Sequence, residues 1–225
     1  MINKIIHRDD LHHGGFAGLT EHRLINDPKV FGSHKDPMTS DGLGAMIYMA
    51  DARFNPHGET RMHPHKEVDV ISVIVEGNIQ HEGSLEHGGA LHTGDVQVQR
   101  AGGEGFLHNE INPDDTTNRM IQVWFQPESR GEKAAYKLYR HSNETRRRVY
   151  GGHDGTTFAG KTIMEVIELK EGQSFAQDGL YEAYLMTGSV KSDDSSLNEG
   201  DLFSGSDLAL TAKEESRFIL VFEEG

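Results

Sequence analysis

Turn-forming residues punctuate this chain at short intervals, and the runs between them are short and rich in Val, Ile, Leu and aromatics. Gly88-Gly89, Gly102-Gly103, Asn112-Pro113-Asp114, Gly151-Gly152, Asp178-Gly179 and Asn198-Glu199-Gly200 mark the breaks. Short strands at regular turn spacing predict an all-β sandwich or barrel with few short helices. Residues 44–54, 68–76, 78–82, 95–99 and 120–125 read as strands, with 68–76 apolar enough for burial on both faces. After a charged, turn-rich stretch at 127–160, strands resume at 162–169, 181–186, 201–203, 208–211 and 217–222. Residues 1–43 read as coil with one or two short strands.

A weak internal repeat divides the chain. Val75-Glu76-Gly77-Asn78-Ile79, followed by Gly94-Asp95-Val96, is echoed by Met186-Thr187-Gly188-Ser189-Val190, followed by Gly200-Asp201-Leu202. Two similar antiparallel β domains in tandem are therefore expected, at 1–132 and 133–225. The histidines do not share this symmetry: all 14 lie at or before His153. Random placement would leave the last third empty in roughly half a per cent of cases. An imidazole site can be built only in the first domain, and the second is expected to carry no metal ligands.

Charge and composition exclude several functions. With 36 acidic against 22 basic side chains, the net charge of -14 repels nucleic acid and anionic lipid. The run Arg146-Arg147-Arg148 is too short to reverse this and reads as a solvated strand end or linker. The absence of cysteine removes disulfides, thiolate metal sites and cysteine nucleophiles. No apolar run reaches membrane-spanning length and residues 1–8 have no signal-peptide core, so a cytoplasmic protein is expected.

Two short stretches carry chemistry. In a strand, residues i and i+2 share a face, so His63-Pro64-His65 presents two imidazoles together and His108-Asn109-Glu110 presents an imidazole and a carboxylate. Were the two strands neighbours, His63, His65, His108 and Glu110 would converge as ligands of one divalent ion. Such a set suits Fe(II), Mn, Co, Ni, Cu or Zn better than calcium or magnesium, and leaves open coordination positions. An H-x-H pair alone is weak in a chain this rich in histidine; the second pair carries the case. Asp69 and Glu67 share the parity of His65 and are candidate supporting carboxylates. His57 lies near in sequence, and His12-His13 reach the site only if the N-terminal segment folds back. His81, His87 and His92 fall in a turn-rich segment and are expected to be exposed. Trp124, Phe125 and Phe54 read as core, and Phe106 as core flanking the site. No phosphate loop, nucleophile elbow or H-E-x-x-H is present.

These motifs resemble those of the cupin superfamily. Gly58, His63, His65 and Gly77 fit its first motif, with one residue fewer before the pair and Asp69 at the acidic position. Gly94, Gly102 or Gly105, His108 and Asn112 fit the second, with Arg100 where proline is usual. His63-Pro64-His65-Lys66-Glu67 and Gly105-Phe106-Leu107-His108-Asn109-Glu110 resemble more closely the pirin family of bicupins. The resemblance implies a mononuclear iron-type centre, Fe(II) foremost, held by His63, His65, His108 and Glu110. It implies a quercetinase-like dioxygenase that opens the ring of quercetin or a related flavonol or enol with O2; in such an enzyme Glu110 is also expected to serve as the base, since a carboxylate ligand can leave the metal and accept a proton. The alternative it allows is a non-enzymatic metal- or redox-sensing bicupin that works through a protein partner. Partners are expected to be a phenolic or enolic small molecule and O2, with no direct nucleic acid and no membrane.

Overall fold

A computed structural model describes residues 1–86, 89–192 and 195–224. Its early strands are β1 (Ile2–His7), β2 (His13–Phe16), β3 (Leu19–Asn26), β4 (Met46–Phe54), β5 (His63–His65) and β6 (Asp69–Glu76). β7 (Asn78–Gly83), β8 (Gly89–His92), β9 (Val96–Arg100), β10 (Phe106–Ile111), β11 (Asn118–Phe125) and β12 (Ala135–Tyr139) follow. The last are β13 (Arg146–Gly152), β14 (Gly160–Leu169), β15 (Ser174–Thr187), β16 (Ser189–Ser192), β17 (Ser195–Asn198), β18 (Asp201–Ala212) and β19 (Ser216–Glu223). A single turn of α-helix, Pro28–Phe31, is N-capped by Asp27, whose carboxylate accepts from Lys29 N at 2.7 Å.

The chain divides into two compact β units. One comprises Leu11–Asp41 and Ala45–Ser142; the other comprises Met1–Asp10, Gly42–Gly44 and Asn143–Gly225. The first has a seven-stranded sheet, β12-β9-β6-β11-β4-β3-β2, and a four-stranded sheet, β5-β10-β7-β8. Apolar side chains of both sheets form its core: Leu19, Phe54, Ile74 and Met120 of the larger meet Ile79 and Leu91 of the smaller. β6 lies between β9 and β11 and is buried along nearly its whole length, as its unbroken Val/Ile run requires. The second unit is an eight-stranded antiparallel sheet, β13-β14-β19-β15-β18-β16-β17 with β1 on β18, around a core that includes Tyr181, Phe203, Phe218 and Leu220.

The repeat seen in the sequence is a repeat of backbone geometry. Gly77 joins β6 to β7 at φ 77° and Gly188 joins β15 to β16 at φ 84°. A side chain at Gly77 would press on Asn118 at 2.8 Å. At the Gly-Asp step, Asp95 Oδ2 accepts from His92 N at 3.0 Å, and Asp201 Oδ2 accepts from Asn198 N at 2.7 Å. The same aspartate closes the same turn in each unit.

Two segments differ from the sequence expectation. Residues 1–43 hold more structure than coil: β1 joins the second unit's sheet and β3 is a long, largely buried strand. Its pattern is hidden because Glu21, 4% exposed, sits at an inward position, held by Tyr48 and Arg23. The stretch 127–160 carries β12 and β13, and β12 pairs with β9, so the first unit runs past residue 132 to Ser142. The run Arg146–Arg148 is the strand end expected of it: it begins edge strand β13, where Arg146 and Arg148 pair with the buried Glu165 of β14.

Candidate metal centre

The two histidine-bearing strands are neighbours. β5 pairs antiparallel with β10, with Phe106 opposite His65, Leu107 opposite Pro64 and His108 opposite His63. β5 is the edge of its sheet, where a proline is tolerated because no further ladder bond is lost. Strand parity then brings His63, His65 and His108 onto one face. His63 Nε2 lies 3.0 Å and His65 Nε2 3.2 Å from His108 Nε2, and the ligand atoms of all three fall within 4.8 Å of one another.

The outer nitrogens decide which tautomer faces inward. His108 Nδ1 lies 2.9 Å from Gln99 Oε1, and His63 Nδ1 lies 2.8 Å from Arg61 O. Both partners are acceptors only, so each Nδ1 carries the proton and each Nε2 turns a lone pair inward. Lone pairs converging at this distance repel unless a cation lies between them. The three imidazoles could hold one metal ion, and two of them, His63 and His108, already have an acceptor on the outer nitrogen. Burial, reinforced by the neighbouring imidazoles, lowers the pKa of His65 to about 4 and of His108 to about 2, so both stay neutral and able to ligate.

Glu110 shares the parity of His108 on β10 but is not part of that 4.8 Å cluster. Its Oε1 accepts from Ser72 Oγ at 2.6 Å and Gln97 Nε2 at 2.9 Å, and its Oε2 from Gln122 Nε2 at 3.0 Å. Gln122 Oε1 accepts in turn from Trp124 Nε1 at 3.1 Å. Complete burial, opposed by these three hydrogen bonds, raises the Glu110 pKa to about 7. Three donors leave at least one lone pair on the carboxylate, open to a cation or a proton.

His63 and His65 open on an apolar cavity of about 160 Å³. Phe31, Tyr48, Ala50, Met120 and Trp124 form its walls, with the Trp124 ring 5.3 Å from that of His65, and Glu21 and Arg23 also line it. Trp124 therefore does more than fill core.

The remaining candidates are placed elsewhere. Asp69 does not continue the face of His65: β5 and β6 belong to different sheets, and Glu67 between them takes φ 54°. Asp69 is instead the cross-strand partner of Arg100, with Nε 3.8 Å from Oδ2. The two departures from the cupin motifs are thus one ion pair. Glu67 accepts from Gly131 N, at 3.2 Å to Oε1, and ties a loop down. His57 is exposed and pairs with Asp115 at 2.7 Å. His13 stacks on His22, with ring centroids 4.7 Å apart. His92 is exposed as expected, and His87 lies outside the described residues. His81 is not exposed: it is fully buried on β7, opposite Glu110, because it shares the inward face of Ile79 and points at the larger sheet, where Gln99 and Tyr136 lie against it. Sequence reasoning also missed Ser72, Gln97, Gln99 and Gln122, all buried or half-buried on the larger sheet. The signal for Gln97 and Gln99 was a Gln-x-Gln alternation that in a half-exposed strand marks the solvent face.

Tandem antiparallel β units with an imidazole cluster in one of them define a bicupin. The family model for pirin matches residues 26–125. A Pseudomonas aeruginosa protein named "Putative quercetin 2,3-dioxygenase" is 32% identical over 174 residues, covering 71% of this chain and 75% of that one. The chain belongs to the pirin family. The Escherichia coli K12 protein named quercetin 2,3-dioxygenase is 32% identical over 79 residues, 35% of this chain and 34% of its own. A similarly named Zymomonas mobilis protein is 38% identical over 93 residues, 41% of this chain and 39% of its own, so both alignments span well under half of those relatives. The nickel(II) complex of the bacterial pirin YhhW from Escherichia coli superposes with a TM-score of 0.84 at 19% identity, covering 98% of both chains. At that identity it speaks for the fold.

Proposed function

We propose that the first unit is a metal-dependent dioxygenase that acts on a phenolic or enolic substrate such as quercetin with O2. Convergence of three imidazole Nε2 atoms beside an apolar cavity that His63 and His65 line is the observation that carries this reading. His63, His65 and His108 hold a divalent first-row ion, Fe(II) foremost, with Glu110 as the fourth ligand. The ion supplies Lewis-acid and one-electron chemistry when bound. The chain's own residues do the rest. Trp124, Tyr48 and Phe31 bind an aromatic ring and exclude water. Glu110, poised near neutrality among its three donors, takes the proton of the substrate hydroxyl, and Ser72, Gln97 and Gln122 keep the carboxylate aimed. The second unit, free of histidine after His153, is read as structural, and the cysteine-free chain as cytoplasmic. Oxygen uptake with quercetin, lost in the His63→Ala/His108→Ala protein, is the expected result; uptake unchanged by that double substitution would overturn the proposal.

A further inference from the structure

A second cavity of about 280 Å³ adjoins the first and is bounded by β2, β3 and the loop before β4. Glu21 and Arg23 line both cavities, so these two side chains form the partition between them. They stand two apart on β3 and share a face. Arg23 Nε donates to Glu21 Oε1 at 2.8 Å and Tyr48 Oη donates to Glu21 Oε2 at 3.0 Å, which fixes the partition. The far wall is built rather than loose: Lys35 Nζ donates to Thr39 O at 3.0 Å and to Thr39 Oγ1 at 2.8 Å.

Neither cavity alone reaches the roughly 300 Å³ at which pockets enclose a drug-sized ligand, whereas together they do. Their linings differ. The triad cavity is apolar, while the second presents Asn26, His12, His34, Asp36 and Thr39. Asn26 is 2% exposed, and its Oδ1 has no hydrogen-bond partner in the protein. A buried amide oxygen left so costs stability, and a ligand donor would recover it. If the amide is turned over, its NH2 stands there instead, and a hydroxyl satisfies either orientation. An anionic group is disfavoured, because the carboxylates of Glu21 and Asp36 line the cavity and the charge of Arg23 is already paired with Glu21.

We propose that the second cavity is a subsite for the neutral, hydroxyl-bearing ring or tail of a two-part substrate whose reacting part lies at the histidine triad. Asn26 is its specificity-determining residue, and Arg23 and Glu21 form the threshold. The inference rests on the reading of the triad as a phenol or enol site. Calorimetry on the zinc-loaded full chain tests it, with two flavonols that differ only in having two hydroxyls or none on the pendant ring. Tenfold or greater preference for the hydroxylated flavonol is expected, and Asn26→Leu closes that gap. The same comparison in Arg23→Gln, at a half-exposed position, is expected to narrow it. Equal affinity of the folded wild-type protein for both flavonols overturns the subsite and leaves the triad reading standing. Binding of neither overturns both. Tighter binding of a flavonol carrying a carboxylate on the pendant ring overturns the choice of a neutral group.

Discussion

Gln99 is not one of the three converging residues, yet the proposed centre should depend on it. Its Oε1 holds the Nδ1 proton of His108 at 2.9 Å and its Nε2 faces His81 Nε2 at 3.2 Å, all fully buried. Gln99→Leu keeps the volume and removes both polar atoms. The buried His108 N–H is then left without an acceptor, which costs about 1–3 kcal/mol of stability. The imidazole is also freed to move its proton to Nε2, the atom that must ligate. Loss of such an outer acceptor weakens metal binding about 10–100-fold, equal to about 1.4–2.7 kcal/mol at 25 °C. Titration of nickel or zinc against a competing chelator reads this directly. The metal-induced rise in unfolding midpoint should shrink in parallel, since saturation at 100 times Kd contributes about 2.7 kcal/mol. Gln99→Glu retains an acceptor at Nδ1 and should bind metal at least as tightly as wild type. Unaltered affinity in Gln99→Leu would refute the tautomer argument.

Other consequences follow from the same geometry. Glu110→Gln keeps the shape but loses the base, so turnover with quercetin should fall at least about 100-fold, in line with general-base catalysis, while the far-ultraviolet spectrum stays native. In metal-free protein, His65 and His108 titrate below the ordinary 6.5, so the unfolded chain takes up their protons first and stability falls as pH drops below 6.5; Glu110, raised to about 7, opposes this by binding its proton first in the folded state. The excess is close to one proton, so urea denaturation of the metal-free protein should show stability falling by about 1 kcal/mol per unit between pH 6 and 5. Asp51→Ala leaves the buried Arg119 guanidinium without the carboxylate it meets at 2.9 Å and should cost about 3–5 kcal/mol in chemical denaturation.

Much of this was legible in the chain, and the failures share a cause. Glycine turns and β-branched runs gave the strands, and the Gly-Asp repeat gave two alike units, because backbone conformation and local turn bonds are encoded within a few residues. His63, His65 and His108 were readable because strand parity projects them together. What could not be read was polar burial. Glu21, His81, Gln97 and Gln99 look like solvent-facing residues, and only the packing of one sheet on another turns them inward, where each finds a partner from a distant strand. The ion pair of Asp69 with Arg100 was hidden for the same reason: two separate departures from a motif make sense only once their strands are adjacent.

Metal content is the most direct test of the centre. Wild-type protein loaded with a divalent first-row ion, desalted and assayed by elemental analysis should retain one ion per chain, and His63→Ala/His108→Ala should retain none while staying folded. A wild-type chain that holds no ion, or a double variant that holds as much as wild type, would contradict the assignment of the three converging imidazoles as a metal centre.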